Sequence, residues 1–450
     1  NAVIDARARL NGLAATISMT EPLDSSAPGR VRDITLVLDD AGRETIAPEL
    51  NTMLSGPVSL DVSVEEGGAQ RIVADLTKAR LDFPWVGWSK GAGVPATASF
   101  VLETDGASTR LSEFHLTGKS FTVEGEVALE NGSLARAEFG KVALNRGDQV
   151  AVTLARKAGR YDIAINGKAF DARSVIKLYL SDTERAEESV EAIPVSLKAS
   201  VERVSGFGGE VLSAVSISLT GTGTDVGMLE MKARSSNGGK IAIVNGTDAG
   251  GRTVTMESGD AGAVLRFLNI YEYMQGGTID LALAAQGKGP LKGQVDAREF
   301  WIVNEPKLRS LVATAPPEGD GRTLNEAVRR DIDVSKAHFD RGYATVEKGD
   351  GYLSIARGIL RGPVIGATFR GALYDTKGNI GIAGTFMPAY GFNRLFAEIP
   401  LLGQILGNGR DRGLIGITFK LSGDAKSPQL QVNPISVIAP GIFRSIFEFR

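Results

Sequence analysis

The chain has 450 residues, with 50 Lys and Arg against 53 Asp and Glu for a net charge of -3, and 55 glycines beside 17 prolines and no cysteine. That balance removes the general electrostatic argument for nucleic acid or an anionic membrane surface as a partner, and the missing thiol excludes disulfides, a cysteine nucleophile and a zinc–thiolate site. No uncharged apolar run reaches the ~20 residues of a spanning helix, and the length suits about three domains or one elongated body.

The text opens mid-pattern at Val3-Ile-Asp-Ala-Arg-Ala-Arg-Leu without methionine, which reads as a piece of a longer protein whose export signal or membrane anchor lies upstream. Up to about Asp171 it alternates apolar and polar residues, as in Val58-Leu60-Val62-Val64, Phe121-Val123 and Tyr161-Ile163-Ile165. Asn131-Gly132, Asn145-Arg146-Gly147 and Asn166-Gly167 stand between such runs as turn chemistry, because Asn and Gly tolerate positive φ. The pattern predicts an antiparallel meander, interrupted by a short helix around residues 47–54 and by the corner Phe83-Pro-Trp-Val-Gly-Trp88.

Asp171-Ala-Arg-Ser-Val-Ile-Lys-Leu-Tyr-Leu breaks the two-residue period, and the charged run after it divides the chain into residues 1–180 and 181–450. Strands resume at Val195 and run to Met256, and Asp260-Ala-Gly-Ala-Val-Leu-Arg-Phe then repeats the break with a second helix. Asp171 and Asp260 stand where N-caps belong, and a third helix falls at residues 306–313 or 324–330. Further alternating runs follow to Phe386.

Residues 391–407 change period again. Phe392, Leu395, Phe396, Ile399, Leu402 and Leu406 recur at the spacing of an apolar helical face, and a strand pattern at Leu414–Phe419 precedes a tail over residues 432–450. The helix reads either as a plug or gate at one end of the sheet or as a membrane-surface helix. Ile442, Phe443 and Phe447 in the tail read as contacts to a membrane or a partner.

The fold class is mainly β, a long sheet with a few short amphipathic helices, and its apolar face has to be covered. Two packed sheets with a filled interior would do so, and so would a trough lined for an apolar guest. Candidate lining residues are Ile241, Ile243, Val254, Met256, Ile279, Leu281, Leu283, Val295, Phe339, Phe369, Ile380, Ile382, Phe386, Ile415, Ile417 and Phe419. No catalytic motif stands out. The two histidines, His115 and His338, have no neighbours at metal-ligand spacing, and the glycine clusters lack the spacing of a dinucleotide loop. The sequence therefore predicts neither enzyme chemistry, nor a metal, nor a cofactor.

Several stretches nevertheless resemble one family. Asp260-Ala-Gly-Ala-Val-Leu-Arg-Phe-Leu-Asn-Ile-Tyr-Glu-Tyr-Met, Ile359-Leu-Arg-Gly-Pro-Val-Ile-Gly-Ala-Thr, Ile399-Pro-Leu-Leu-Gly and Val432-Asn-Pro-Ile-Ser-Val-Ile-Ala-Pro-Gly-Ile-Phe-Arg are similar to the AsmA-like C-terminal region of large AsmA-like proteins. Leu81-Asp-Phe-Pro-Trp-Val-Gly-Trp-Ser-Lys resembles the region before it. The resemblance implies a periplasmic protein of a Gram-negative bacterium, anchored in the inner membrane by an N-terminal helix absent from this sequence. It also implies a bridge-like lipid transfer protein, with a curled, taco-like groove along which phospholipid acyl chains move toward the outer membrane. Phospholipids would be the partners and bound acyl chains the only ligand, with an outer-membrane or periplasmic protein at the C-terminal end.

Overall fold

The structure is a computed structural model that describes residues 2–10, 13–21, 31–64, 68–180, 193–222, 225–248, 251–287, 289–313, 334–388, 417–425 and 427–433. It is 68% strand and 11% helix. Twenty-four strands belong to one sheet that does not close into a barrel, and three short ones form a second sheet. The expected gating residues Phe392, Leu395, Phe396, Ile399, Leu402, Leu406, Ile442, Phe443 and Phe447, and the lining residue Ile415, lie outside the described residues, as does the alternative third helix at 324–330.

Two compact units make up the chain: one takes the described residues up to 205 and those of 214–226, the other takes 206–213 and those from 227 onward. In the first unit an α-helix that the sequence does not announce, α1 (Asp40–Ile46), precedes the expected helix at 47–54, and the Asp39 side chain accepts from the Gly42 N–H at its start. Pro48 then opens a separate 3-10 turn, Pro48–Thr52. The buried guanidinium of Arg43 ties the two together, donating to Asn51 Oδ1 and to the carbonyls of Leu38, Leu54 and Gly56. The Phe83–Trp88 corner is a 3-10 turn closed by Gly87 at φ 63. It sets Trp88 between Phe83 and Phe121, at 5.2 and 4.9 Å between centroids. Nearby, the buried Lys90 ammonium donates to the carbonyls of Leu76, Ala79 and Val94.

Antiparallel partners share a face, so the register reads as rows across the sheet. One row in the first unit runs Ala15, Leu36, Leu60, Ala74, Ala98, Leu116, Val123, Val142, Val150, Gly167 and Val201 across eleven strands. Gly167 is therefore no turn residue: it lies inside the strand Arg160–Asp171, where a Cβ would run into Val150 and the Gln149 carbonyl. Helix α2 (Arg173–Leu180) follows that strand, and Pro194–Ser205 then pairs with it in parallel. The expected antiparallel sheet is thus mixed, because a chain that passes through a helix can return in the same direction.

In the second unit Asp260 caps α3 (Ala261–Phe267) by accepting from the Ala263 N–H. Gly262 lets that helix lie against the strand Met274–Ala285, since a Cβ there would meet the Gln275 backbone. Helix α4 (Pro306–Ala313) buries Leu308 and Leu311 in the same core.

Candidate functional site

The second unit carries three apolar rows side by side, each crossing eleven strands or nearly so. The central one is Met231, Ile243, Met256, Leu281, Val295, Ala344, Gly358, Phe369, Gly384, Phe419 and Val432. On one side of it run Leu229, Asn245, Val254, Leu283, Gly293, Val346, Ile355, Gly371, Ile382, Leu421 and Leu430, with Ile380 at the next rung beyond Ile382. On the other run Ala233, Ile241, Ser258, Ile279, Ala297, Gly342, Leu360, Ala367 and Phe386.

Every described candidate from the sequence falls on this face. Phe339 joins it by a different route, since simple alternation from Gly342 would turn it away. Its ring stacks on Phe300 at 5.3 Å and 15°, and Phe300 lies over Gly342. The bulge between Ile355 and Gly358 restores the facing in a similar way, leaving both residues on the apolar side. For Ile417 only the backbone is described, paired with Phe386.

Packing divides the face into a closed part and a half-open part. Ile241, Ile279, Phe339, Ile382, Phe386 and Phe419 are buried, and all except Ile241 belong to one core cluster with Leu308 and Leu311 of α4. Ile243, Val254, Met256, Leu281, Leu283, Val295, Phe369 and Ile380 are only half buried. The opposite face of the same strands is polar, with Asp280 exposed; its Thr418, by contrast, is 1% exposed and makes no outward reference point.

Glycines thin the face where rings cross it. A Cβ on Gly358 would enter the Phe369 ring, one on Gly384 would meet Phe419, and one on Gly342 would meet Phe300. In the first unit Phe121 covers Gly118, and Gly125 stands in register between Phe114 and Phe139, whose rings meet edge to face at 5.9 Å.

The polar face holds a cluster that the sequence conceals. Pairing of Trp301 with His338 brings Glu299, far off in sequence, to the imidazole. His338 Nε2 lies 3.3 Å from Glu299 Oε2 and Nδ1 3.5 Å from Asp340 Oδ1. All the ligand atoms fall within 4.8 Å of one another, so the reading that His338 has no carboxylates within reach is corrected. The two carboxylates flank opposite nitrogens of one half-buried ring.

Burial alone would push the Asp296 carboxyl up, but bonds and charges from Arg341 and Arg298 outweigh it and hold the group below the ordinary carboxylate range. The Tyr271 hydroxyl is pushed far up by burial, helped by the Glu305 charge, and stays protonated. Among the described residues no helix is long and apolar enough to cross a membrane. Comparison with protein-family models, with curated proteins and with solved structures returns no match.

Proposed function

We propose that this chain is a lipid conduit: its apolar face shields phospholipid acyl chains from water during transport between the inner and outer membranes of a Gram-negative envelope. The observation that carries the reading is the run of three adjacent apolar rows across the strands of the second unit, half-buried over Val254, Met256, Leu281 and Leu283. Each CH₂ removed from water gains about 0.8 kcal/mol, so an acyl chain does not cross an aqueous gap unaided. Along a strip of equivalent rows its burial changes little, and the headgroup stays in solvent. The resemblance to AsmA-like proteins points the same way, with a periplasmic location, an inner-membrane anchor and a protein partner at the C-terminal end as parts of one proposal. No catalytic step is assigned.

The closed part of the face favours a second reading, a non-catalytic envelope scaffold whose core is merely filled. Photocrosslinking separates the two. Benzoylphenylalanine at Leu281 and Leu283 should capture phospholipid in cells, and the same probe at Asp280 should not. Capture at none of the three sites, with no lipid co-purifying in native mass spectrometry, would leave the scaffold; equal capture at Asp280 would reject the assigned face.

A further inference from the structure

The polar face of the second unit contains a row that strand pairing alone does not favour. Arg298, Arg341 and Arg361 stand directly opposite one another on three neighbouring strands. Like charges in register repel and weaken a sheet. Asp296 offsets part of this, accepting one bond from Arg298 and two from Arg341, at 2.7–2.9 Å. Two rungs along from Arg361 on the same face of its strand comes Arg357, opposite Thr345. Between the two arginines lies the rung Tyr343–Ile359, with the Arg341 guanidinium 5.4 Å above the Tyr343 ring.

An open cleft of about 370 Å³ is lined by Arg341, Arg357, Arg361, Gln294, Tyr343 and Ile359. Among the described residues of that lining, three of the six are arginines. The floor, Ile359, is buried. A guanidinium carries five N–H donors, so Arg341 keeps donors beyond the two it gives Asp296, and Gln294 and Tyr343 add neutral donors beside the arginines.

We propose that this cleft is an oxyanion site, built to take a phosphate group between Arg357 and the Arg341–Arg361 pair. It lies on the opposite face from the acyl strip and does not rest on the conduit reading, so either proposal can fail alone. Lipid headgroups and soluble phosphates both carry such a group, and the experiment distinguishes them. Calorimetric titration of inorganic phosphate into the full chain at low ionic strength should show saturable binding. Arg357→Gln combined with Arg361→Gln should weaken it at least about tenfold with the circular dichroism unchanged. Arg357→Lys, which keeps the charge but not the fork, should retain part of the binding and covers the case in which the double variant misfolds. Flotation with phosphatidic acid vesicles but not phosphatidylcholine, competed by free phosphate and lost in the double variant, assigns the group to a lipid. Phosphate binding without flotation assigns it to a soluble ligand. Absent phosphate binding, or binding equally tight in wild type and double variant, overturns the proposal.

Discussion

Phe339→Ala tests whether the closed part of the apolar face is the core of the second unit. The ring is 2% exposed and stacks on Phe300 at 5.3 Å, itself 3% exposed. Deleting a buried phenylalanine costs about 3–5 kcal/mol through lost transfer free energy and the cavity left behind, and the lost ring pair belongs at the upper part of that range. Leu281, half-buried on the central row, has less to lose: Leu281→Ala should cost about 1–2 kcal/mol, below the usual range for a fully buried leucine. Amide hydrogen exchange read by mass spectrometry on the strands Leu291–Val303 and Lys336–Gly349 measures both, because the slowest amides there report the opening free energy. At about 1.4 kcal/mol per tenfold, a 4 kcal/mol loss speeds their exchange on the order of a thousandfold, and the Leu281 variant by about tenfold. The lipid readout should run the other way, with Leu281→Asp abolishing capture of acyl chains while Phe339→Leu preserves it. If Phe339→Ala slows or leaves exchange unchanged relative to Leu281→Ala, the division of the face into core and strip is wrong.

Gly358→Ala should destabilise the second unit by about 1–3 kcal/mol, the usual range for overpacking, because its Cβ enters the Phe369 ring; adding Phe369→Leu should recover part of the loss in urea unfolding. For Asp296 the sign follows from a folded pKa held below the ordinary value by Arg341 and Arg298, against the push of burial. The unfolded chain then binds a proton more readily than the folded one, so the stabilisation is complete above about pH 4 and is lost as pH falls through the lower folded value. Asp296→Asn should therefore be less stable than wild type at neutral pH, with the gap closing in acid; a gap that is constant with pH in denaturant titrations would contradict the assignment.

Much of the sheet is legible in the sequence because an apolar–polar alternation has only two phases, and Ile279-Asp280-Leu281 fixes which side faces the core. Simple alternation does not explain Phe339 and Gly358, where facing changes at bulges or irregular rungs whose cause lies on neighbouring strands: Glu299, opposite the Phe339 segment, has φ 51. The glycines mislead more. Read along the chain they punctuate turns, and Asn131-Gly132 does so with positive φ at both residues. Gly167, Gly358 and Gly384 instead lie inside strands beneath their neighbours, a role visible only once the register is known. The same holds for the His338 cluster and the arginine row: each forms across strands, and no local spacing announces it.

The geometry of the strip bears on how a lipid would use it. Eleven strands at ~4.8 Å span about 48 Å, and three rows two residues apart are about 13 Å wide. An acyl chain reaches half the ~30 Å hydrocarbon core of a bilayer, or about 15 Å. The whole face is therefore about three chain lengths long, and the part of it open to a chain is the half-buried run over Ile243, Met256, Leu281 and Val295. Its rows are interrupted at neighbouring strands, by Asn245 in one and Ser258 in another, while the central row carries Ile243 and Met256 there. A guest moving toward that end thus meets two apolar rows at each of these strands, and only the central row runs through both. The narrowing is where transfer along this unit should be slowest, and it leaves the central row, with half-buried Leu281 next to Met256, as the part of the face on which passage depends.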